Sequence, residues 1–281
     1  MNAHHHPTRQ LNDGVDIPLI GLGTYMLKGP GGIEAMLSGI NVGYRLLDSA
    51  FNYENEGALG QVVRRSPVSR DELILVSKLP GRRQRYDEAI ATVYESLYRA
   101  GLDYWDLYLI HWPNPRQGLY VEAFQALVDL QQKGLIRSVG VCNFLPEHLM
   151  TLHQETGVMP SVNQIELHPH FNQAKMRAFH AEHGIATQSW SPLGRKLGLV
   201  NDLTIQALAA EVGVSPARLI LRWHVQHGAI PVPKSAHEAR QRENADVFSF
   251  ALTQQQMDAI DALTRQDGRS AGQDPAVYEE F

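Results

Sequence analysis

Four side chains that can transfer protons follow short apolar segments of the sequence, and they are Asp48, Tyr53, Lys78 and His111. Asp48, Lys78 and His111 each end such a segment, and Tyr53 lies five residues after Asp48. A free phenol has a pKa of about 10, and a nearby ammonium group lowers that value because it stabilises the phenolate. Each residue alone is more often a bystander than a catalyst. The four together indicate a site for general acid catalysis.

Short apolar segments that alternate with helical patterns predict a sheet of eight strands. The predicted strands cover residues 17–22, 44–47, 73–77, 107–110, 138–141, 162–167, 185–189 and 229–232. They start roughly 30 residues apart, which is the length of one βα unit, and eight such units close a barrel. The predicted fold class is therefore α/β, a (β/α)8 TIM barrel. Such barrels carry their active sites at the carboxyl ends of the strands, where three of the four side chains are expected.

Three segments outside the repeating units predict additions to the barrel. The pair Asp13 and Gly14 between extended stretches predicts an N-terminal β-hairpin that caps one end of the fold. Residues 253–263 have the pattern of an extra helix. Residues 267–281, which contain glycine, proline and acidic side chains, are predicted to form a C-terminal loop over one end.

Composition limits the classes of function that the chain can have. The 281 residues include 25 Lys+Arg and 30 Asp+Glu, and the resulting net charge of -5 argues against nucleic-acid binding and against a basic membrane-binding patch. The single cysteine, Cys142, excludes an internal disulfide and fits a reducing compartment. No apolar run reaches the roughly 20 residues of a membrane-spanning helix. We expect a cytoplasmic protein with no nucleic-acid or membrane partner, and we expect a monomer.

The sequence carries no linker signal, so residues 9–281 are predicted to form a single domain. Residues 1–8, which include His4, His5 and His6, are expected to be a disordered or tag-like N-terminus. These histidines are therefore set aside as candidate site residues.

Several motifs stand in a fixed order along the whole chain. They are Gly21-Leu-Gly-Thr-Tyr, Gly43-Tyr-Arg-Leu-Leu-Asp-Ser-Ala, Asn55-Glu56, Ser77-Lys78, Asp106-Leu-Tyr-Leu-Ile-His-Trp-Pro, Gly140-Val-Cys-Asn-Phe, Asn163-Gln-Ile-Glu-Leu-His-Pro, Ser191-Pro-Leu-Gly and Pro233-Lys-Ser. By these motifs the sequence resembles the aldo-keto reductase family over nearly its whole length. It is most similar to the prokaryotic 2,5-diketo-gluconate reductase branch of that family.

The resemblance implies an NADPH-dependent enzyme that reduces aldehydes and ketones, such as small carbonyls and keto-sugars, to alcohols. In it, Tyr53 is the general acid that protonates the carbonyl oxygen while hydride reaches the carbon. Lys78 lowers the pKa of the phenol, and Asp48 keeps the lysine charged and oriented. His111 orients the substrate carbonyl as a neutral hydrogen-bond donor.

The same resemblance implies an extended cofactor across the barrel mouth. A dinucleotide-binding fold is disfavoured because Met26 stands where the third glycine of its fingerprint belongs. The implied cofactor-binding residues are Gly23, Thr24, Cys142, Asn143, Gln164, Trp190, Ser191, Leu193, Lys234, Ser235, Arg240, Glu243 and Asn244.

The resemblance gives several of these residues specific roles. The side chains of Asn143 and Gln164 bind the nicotinamide carboxamide, and Trp190 stacks on the ring. Lys234, Ser235 and Arg240 hold the adenosine 2′-phosphate, which selects NADPH over NADH. Glu243 and Asn244 contact adenine.

The implied substrate pocket is apolar with one polar end. Its lining is expected to be Tyr25, Phe51, His111 and Trp112, with Asn52 as a further candidate. The C-terminal loop is short compared with those of relatives, which favours an open and permissive pocket.

Cys142 departs from the family pattern, which has serine there. We keep two interpretations, an oxidant-sensitive thiol and a buried inert one.

Two other functions remain open from the sequence. His168 and His170 form an H-x-H pair that a metal-dependent barrel hydrolase could use, but no further histidine or acid accompanies the pair in the pattern of a metal site. A cofactor-binding regulatory subunit on the same fold is the other alternative. The intact proton-transfer set favours the reductase, which needs a small-molecule carbonyl substrate and no metal.

Overall fold

Eight short parallel strands form the central sheet of the protein, which the computed structural model describes over residues 6–266 and 268–281. These strands are β3 (Leu22–Gly23), β4 (Leu46–Asp48), β5 (Ile74–Leu79), β6 (Trp105–Ile110), β7 (Ile136–Cys142), β8 (Val162–Glu166), β9 (Ala186–Trp190) and β10 (Ile230–Pro231). Their order in the sheet follows their order in the chain. The prediction of eight parallel strands is therefore confirmed.

Backbone hydrogen bonds join the two edges of the sheet. Gly21 N donates to Pro231 O at 3.0 Å, and Gly23 N donates to Pro233 O at 3.1 Å. Gly23 also pairs in parallel with Lys234. The first strand thus pairs with the last, so the sheet closes into a barrel. The close approach requires a glycine at position 23, because a Cβ there would lie 2.7 Å from the carbonyl oxygen of Val232.

Helices follow the strands and cover the outside of the barrel. They are α1 (Gly29–Val42), α2 (Glu56–Arg65), α3 (Tyr86–Ala100), α4 (Tyr120–Gln132), α5 (Pro146–Thr156), α6 (Ala174–Glu182), α7 (Leu203–Val212), α8 (Pro216–Gln226), α9 (Glu238–Ala245) and α10 (Gln254–Asp261). The first five bury Met36, Leu59, Val93, Phe124 and Leu149 against the strands. Within the described residues, no helix has the length and hydropathy needed to cross a membrane.

A β-hairpin closes the amino-terminal end of the barrel. Its strands are β1 (Thr8–Gln10) and β2 (Asp16–Pro18), which pair antiparallel as the Asp-Gly turn predicts. Leu11 and Ile17 of this hairpin are buried with the apolar side chains that point into the barrel. The opposite, carboxyl-terminal end of the barrel is therefore where a ligand can enter.

Two sequence-based boundaries differ from the structure. The predicted first strand, residues 17–22, combines an arm of the hairpin with barrel strand β3, because both segments are apolar. The expected disordered N-terminus is also too long, since Thr8 pairs with Pro18 and the ring of His6 lies 5.6 Å from that of Tyr44. Residues 1–5, with His4 and His5, lie outside the described residues.

Helices α7 and α9 are not predicted from the sequence. Helix α9 has the polar sequence Glu-Ala-Arg-Gln-Arg-Glu-Asn-Ala and lacks an apolar stripe. It is anchored instead by Gln241, a fully buried side chain whose Nε2 donates to Ala35 O at 2.7 Å and to Ser235 O at 2.9 Å. A polar anchor of this kind leaves no periodic signal.

Two buried histidines connect strands to the helices around them. His180 lies between Asn163 and Thr187, at 3.0 and 2.8 Å. His224 lies between Ser189 Oγ and Pro192 O, both at 3.1 Å. Burial lowers the pKa of each histidine to about 3, so both rings are neutral in the folded protein at neutral pH.

Because of these two histidines, we expect the folded protein to lose stability in mild acid. Their pKa in the unfolded chain is about 6.5, so protons bind the unfolded state more tightly. Stability is full above about pH 6.5 and falls as the pH decreases toward 3, by roughly 1.4 kcal/mol per pH unit for each histidine. Urea unfolding at pH 7.5 and pH 5 measures this loss. Replacing His224 with Gln should reduce the pH dependence, whereas replacing the exposed His153 with Gln should not, and equal stability at both pH values would contradict the prediction.

Candidate active site

A buried ion pair lies at the centre of the barrel mouth. Lys78 Nζ, on β5, is 2.8 and 2.9 Å from the two carboxylate oxygens of Asp48 on β4, and it donates to Ser49 O at 2.6 Å. Lys78 is fully buried and Asp48 is 3% exposed. Burial lowers the pKa of Lys78, but Asp48 raises it, and the net pKa is above its ordinary value. The lysine is therefore charged.

Two glutamines extend this polar centre across the barrel. Gln164 Nε2, on β8, donates to Asp48 Oδ1 at 2.8 Å and to Gln188 Oε1 at 2.6 Å. Both bonds use the amide nitrogen, so the Oε1 of Gln164 remains available to accept a hydrogen bond from a ligand. The sequence patterns did not single out Gln188, whose position inside strand β9 is the only signal.

Tyr53 lies beside the ion pair, at the end of a short 3-10 turn that follows β4. Lys78 Nζ is 5.1 Å from the centroid of its ring. The rings of Tyr25 and His111 meet the Tyr53 ring edge to face, at 5.1 and 6.1 Å. The structure therefore brings together the four side chains that the sequence predicted.

The pKa of Tyr53 differs from the sequence-based expectation. Burial raises it, Lys78 lowers it, and Asp48 raises it again, with a net value of about 12. Lys78 lowers the pKa of Tyr53, as expected, but burial raises it by more. Taking a phenolate out of water costs more free energy than the attraction of one ammonium group at this distance provides. The phenol thus keeps its proton at neutral pH, which is the form that a general acid needs.

His111 contacts a carboxylate that the sequence did not predict. Its Nδ1 lies 2.7 Å from Oε1 of Glu280, in the C-terminal loop. Asn52 Nδ2 and the backbone N of Gly81 donate to the same carboxylate at 2.9 and 2.8 Å. Burial raises the pKa of Glu280 but these neighbours lower it, and the net pKa is below its ordinary value.

A cavity of about 280 Å³ opens at this end of the barrel. Eight of the predicted site residues line it, and they are Tyr25, Tyr53, His111, Trp112, Cys142, Asn143, Gln164 and Trp190. Asn52, the further candidate, lines it too. Four residues that the sequence did not single out complete the lining, and they are Arg195, Gln273, Tyr278 and Glu280. These four lie in loops and in the C-terminal tail, which lack the periodicity that a sequence-based prediction needs.

The C-terminal loop, although short, forms part of the cavity wall through Gln273, Tyr278 and Glu280. The ring of Tyr278 packs on that of Trp112 with centroids 4.4 Å apart. Across the mouth, the guanidinium of Arg195 lies 5.4 Å from the ring of Tyr25 and 5.7 Å from that of Trp190. The cavity wall therefore combines aromatic rings with amide side chains, one carboxylate and one guanidinium group.

Phe51 lies outside the cavity lining. Its ring packs under the guanidinium of Arg99, with Cζ 3.9 Å from the ring centroid. The 3-10 turn that directs Tyr53 toward the cavity directs Phe51 toward the helices, because side chains two residues apart in such a turn point to different sides.

Asn143 and Trp190 are fixed to each other at the cavity wall. Trp190 Nε1 donates to Asn143 Oδ1 at 2.7 Å, and Asn143 Nδ2 donates to His111 O at 3.1 Å. Next to Trp190, the hydroxyl of Ser191 is buried and has no hydrogen-bond partner among the residues that the structure describes. A buried hydroxyl without a partner costs free energy, so this group fits a ligand contact.

Three other predicted cofactor residues, Thr24, Leu193 and Cys142, are in contact with or buried by other parts of the protein. Thr24 Oγ1 donates to Asp48 O at 2.9 Å. Leu193 packs with two apolar clusters. Burial raises the pKa of Cys142 well above its ordinary value, so the thiol is not ionised and the inert interpretation is favoured over the redox one.

The remaining predicted cofactor residues lie after β10 and on α9. Lys234 and Arg240 are exposed, and neither forms an ion pair within residues 6–266 and 268–281. Ser235 is buried at the start of this segment, and His237 N donates to its hydroxyl at 3.2 Å. Glu243 and Asn244 follow on the same helix, where Glu243 is half-buried and Asn244 is 5% exposed. The two cations are therefore available to an anionic ligand.

The H-x-H pair is not part of a metal site in the described residues. His168 Nε2 lies 3.0 Å from Glu166 Oε1, and His170 Nε2 lies 3.9 Å from Asp202 Oδ2. No group of three His, Cys, Asp or Glu side chains within the described part of the chain could hold a metal ion. The two histidines thus contact different acids.

Comparison with known proteins decides the family. The model of the Aldo/keto reductase family matches residues 19–265. The chain belongs to this family. It is therefore an oxidoreductase that reduces carbonyl groups with NADPH, as the motifs implied.

Relatives and solved structures match the aldo-keto reductase over nearly its full length. The chain is 54% identical to 2,5-diketo-D-gluconic acid reductase B of Corynebacterium sp. (strain SHS752001), over 98% of this chain and 99% of that protein. It is 41% identical to the methylglyoxal reductase DkgA of Escherichia coli (strain K12), over 96% and 97% of the two chains. A crystal structure of a Gox0644 variant in complex with NADPH superposes with a TM-score of 0.93 at 39% identity, covering 98% of this chain and 100% of that one.

Removing the acid of the buried pair should destabilise this reductase. Asp48→Asn leaves the charge of Lys78 in the barrel without a counter-ion, and breaking a buried pair costs roughly 3 to 5 kcal/mol of unfolding free energy. Urea unfolding at neutral pH measures the change. Asp103→Asn, at an exposed position, is the matched control and should stay within about 0.5 kcal/mol of the wild type. A loss below about 1 kcal/mol for Asp48→Asn would show that Lys78 does not need the pair.

Proposed function

We propose that this aldo-keto reductase reduces small polar aldehydes and ketones with Tyr53 as the general acid. One observation supports the assignment most strongly. The protonated phenol of Tyr53 lies at the cavity wall, beside the ring of His111 and close to the charged Lys78. Bound NADPH supplies the hydride that reaches the carbonyl carbon. The chain supplies the proton, the orientation of the carbonyl and the exclusion of water.

In this proposal, each of the four polar side chains has one task. Tyr53 gives its proton to the carbonyl oxygen as that oxygen gains negative charge, and Lys78 stabilises the phenolate left behind. Asp48 holds Lys78 in place through two contacts below 3 Å. His111, whose ring meets that of Tyr53 edge to face, orients the carbonyl oxygen.

The donor set at the barrel mouth supports the proposed cofactor contacts. The free Oε1 of Gln164 can accept a hydrogen bond from a carboxamide, and Asn143 lies beside it on the cavity wall. The ring of Trp190 offers an apolar face for the nicotinamide. The buried hydroxyl of Ser191 lacks a partner within the described part of the chain, and a ligand would satisfy it. We therefore propose the full set of predicted cofactor residues as the NADPH-binding site. It includes Gly23, where the backbones of the first and last strands approach closely.

The volume and the lining of the cavity favour small polar substrates. Its volume of about 280 Å³ suits compounds of a few carbon atoms to the size of a sugar acid. Asn52, Gln273, Arg195 and Glu280 offer hydrogen bonds around the aromatic rings. The names of the two bacterial relatives, a diketogluconic acid reductase and a methylglyoxal reductase, fall in this class. We also propose a cytoplasmic monomer with one domain over residues 9–281.

The regulatory-subunit alternative is disfavoured by the same geometry. A subunit that only binds the cofactor has no need for a buried lysine–carboxylate pair beside a protonated phenol, and such a pair costs desolvation free energy. Turnover of a simple aldehyde with NADPH separates the two functions.

Replacing the phenol tests the catalytic assignment. Tyr53→Phe removes the proton donor and should lower kcat for aldehyde reduction by about 10²- to 10⁴-fold, because general acid catalysis contributes that much. The Kd for NADPH, measured by fluorescence titration, should stay within about twofold. Tyr98→Phe is the matched control, since the Tyr98 side chain is 74% exposed on α3. Full activity in Tyr53→Phe would overturn the proposed role.

Removing the free cations tests the choice of NADPH over NADH. Lys234→Ala and Arg240→Ala should each raise the Kd for NADPH by about tenfold or more, because each loses a charge-assisted bond to a phosphate. The Kd for NADH should change little. Arg242→Ala on the same helix is the matched control, since Arg242 already pairs with Glu238 at 2.7 Å. An unchanged preference between the two cofactors would contradict the assignment.

A further inference from the structure

The carboxylate of Glu280 lies in a built site at the wall of the cavity. Asn52 Nδ2 donates to Oε1 at 2.9 Å, and the backbone N of Gly81 donates to Oε2 at 2.8 Å. His111 Nδ1 is the nearest group, 2.7 Å from Oε1. Glu280 is 8% exposed, so its charge is poorly screened by water.

The backbone of Glu280 is held as firmly as its side chain. Asn114, a fully buried residue, bonds both backbone groups of Glu280: its Nδ2 donates to the carbonyl oxygen at 2.8 Å, and its Oδ1 accepts from the backbone N at 2.9 Å. A side chain on Gly81 would collide with Asn114 and with the Glu280 carbonyl. The position of the carboxylate is therefore specified from two sides.

The neighbouring acid makes different contacts. Glu279 accepts from the backbone N of Arg116 at 2.8 Å and from Gln117 Nε2 at 3.2 Å. Glu279 is half-buried and does not line the cavity. The C-terminal loop thus places two adjacent glutamates in different environments, and only one of them reaches the site.

His111 and Glu280 lie within salt-bridge distance of each other, but their contact is not aligned as a hydrogen bond. The two atoms are 2.7 Å apart, but Nδ1 meets no hydrogen-bond geometry among the residues described. The net pKa of Glu280 is below its ordinary value, so the carboxylate is charged. Contacts of catalytic groups often become aligned only when substrate binds.

We propose that Glu280 is a positioning residue for His111, whose charge favours the doubly protonated ring and so makes His111 a cationic donor to the substrate carbonyl. The proposal rests on the proposed function of the cavity and adds a residue to it. It replaces the neutral donor that the sequence suggested.

Proton counting supports the cationic form. A neutral imidazole carries one N–H, so a ring that keeps its hydrogen on Nδ1 beside Glu280 has a bare Nε2 that can only accept. A ring that faces a carboxylate on one nitrogen and a carbonyl oxygen on the other needs hydrogen on both. The carboxylate compensates the added positive charge.

The other titratable groups around the ring come from several elements. Tyr53 faces it from the loop after β4, with its ring centroid 6.1 Å away. Cys142 on β7 and Arg195 in the loop after β9 line the same cavity, and the Lys78–Asp48 pair lies below it. Among the cavity-lining residues, Glu280 is the one with a carboxylate.

Glu280→Gln tests the proposal because it keeps the shape of the side chain and removes its charge. We expect kcat for aldehyde reduction to fall by about tenfold or more, since bonds to charged groups are strong, while the KM for NADPH stays within about twofold. With ¹⁵N-labelled histidine, NMR at pH 7 should show a smaller doubly protonated fraction of His111 in the variant than in the wild type. The His111 signal is assigned by its absence from a His111→Asn variant.

Glu279→Gln is the matched control, because it removes the same charge from the same loop. In Glu279→Gln, kcat should stay within about twofold of the wild-type value. The NMR signals of His111 should match those of the wild type within error. A Tm for Glu280→Gln close to that of the wild type shows that the loop stays folded.

The outcomes separate this proposal from a purely structural role of Glu280 and from the proposed function. A fall in kcat with an unchanged protonated fraction of His111, or an unchanged kcat, overturns the proposal. Full activity of Tyr53→Phe would instead overturn the general-acid assignment. The NMR measurement requires no turnover, so it decides the role of Glu280 in either case.

Discussion

The buried pair of Lys78 and Asp48 is the interaction on which the rest of the site depends. Two charges inside a barrel are costly unless they meet each other and further hydrogen-bonding groups. Here the carboxylate accepts from Lys78 and from Gln164, and the ammonium also donates to Ser49 O. Strands β4, β5 and β8 therefore share one polar centre, and the phenol of Tyr53, which lies beside it, takes its environment from that centre.

The chemistry of Tyr53 follows from a balance of burial and charge. Burial holds the proton on the phenol, and Lys78 makes the loss of that proton less costly. A site with the lysine alone would risk an ionised phenol, and a site with burial alone would not stabilise the phenolate after proton transfer. The two opposing effects together keep a donor that releases its proton only when a neighbouring oxygen becomes negative.

The sequence predicts the part of the site that barrel geometry determines. Asp48, Lys78 and His111 end apolar strands, and parallel strands in a closed barrel bring such ends together, so their meeting was predictable. The location of Glu280 and Arg195 was not, because a loop and a tail lack the periodicity that links sequence to position. The difference between Phe51 and Tyr53 depends on one turn, and the net pKa of Tyr53 depends on burial that a sequence does not reveal.

Asn114 bonds the backbone of Glu280 and the backbone N of Gly81 bonds its carboxylate, so the C-terminal loop is held against the barrel by hydrogen bonds and not through apolar packing alone. The loop therefore forms one wall of the cavity without contributing a strand or helix to the barrel repeat. Its side chains can change during evolution while the strands that carry Lys78 and Asp48 stay the same. Such an arrangement lets a lineage diversify which carbonyl compounds it accepts while it inherits one unaltered reaction centre.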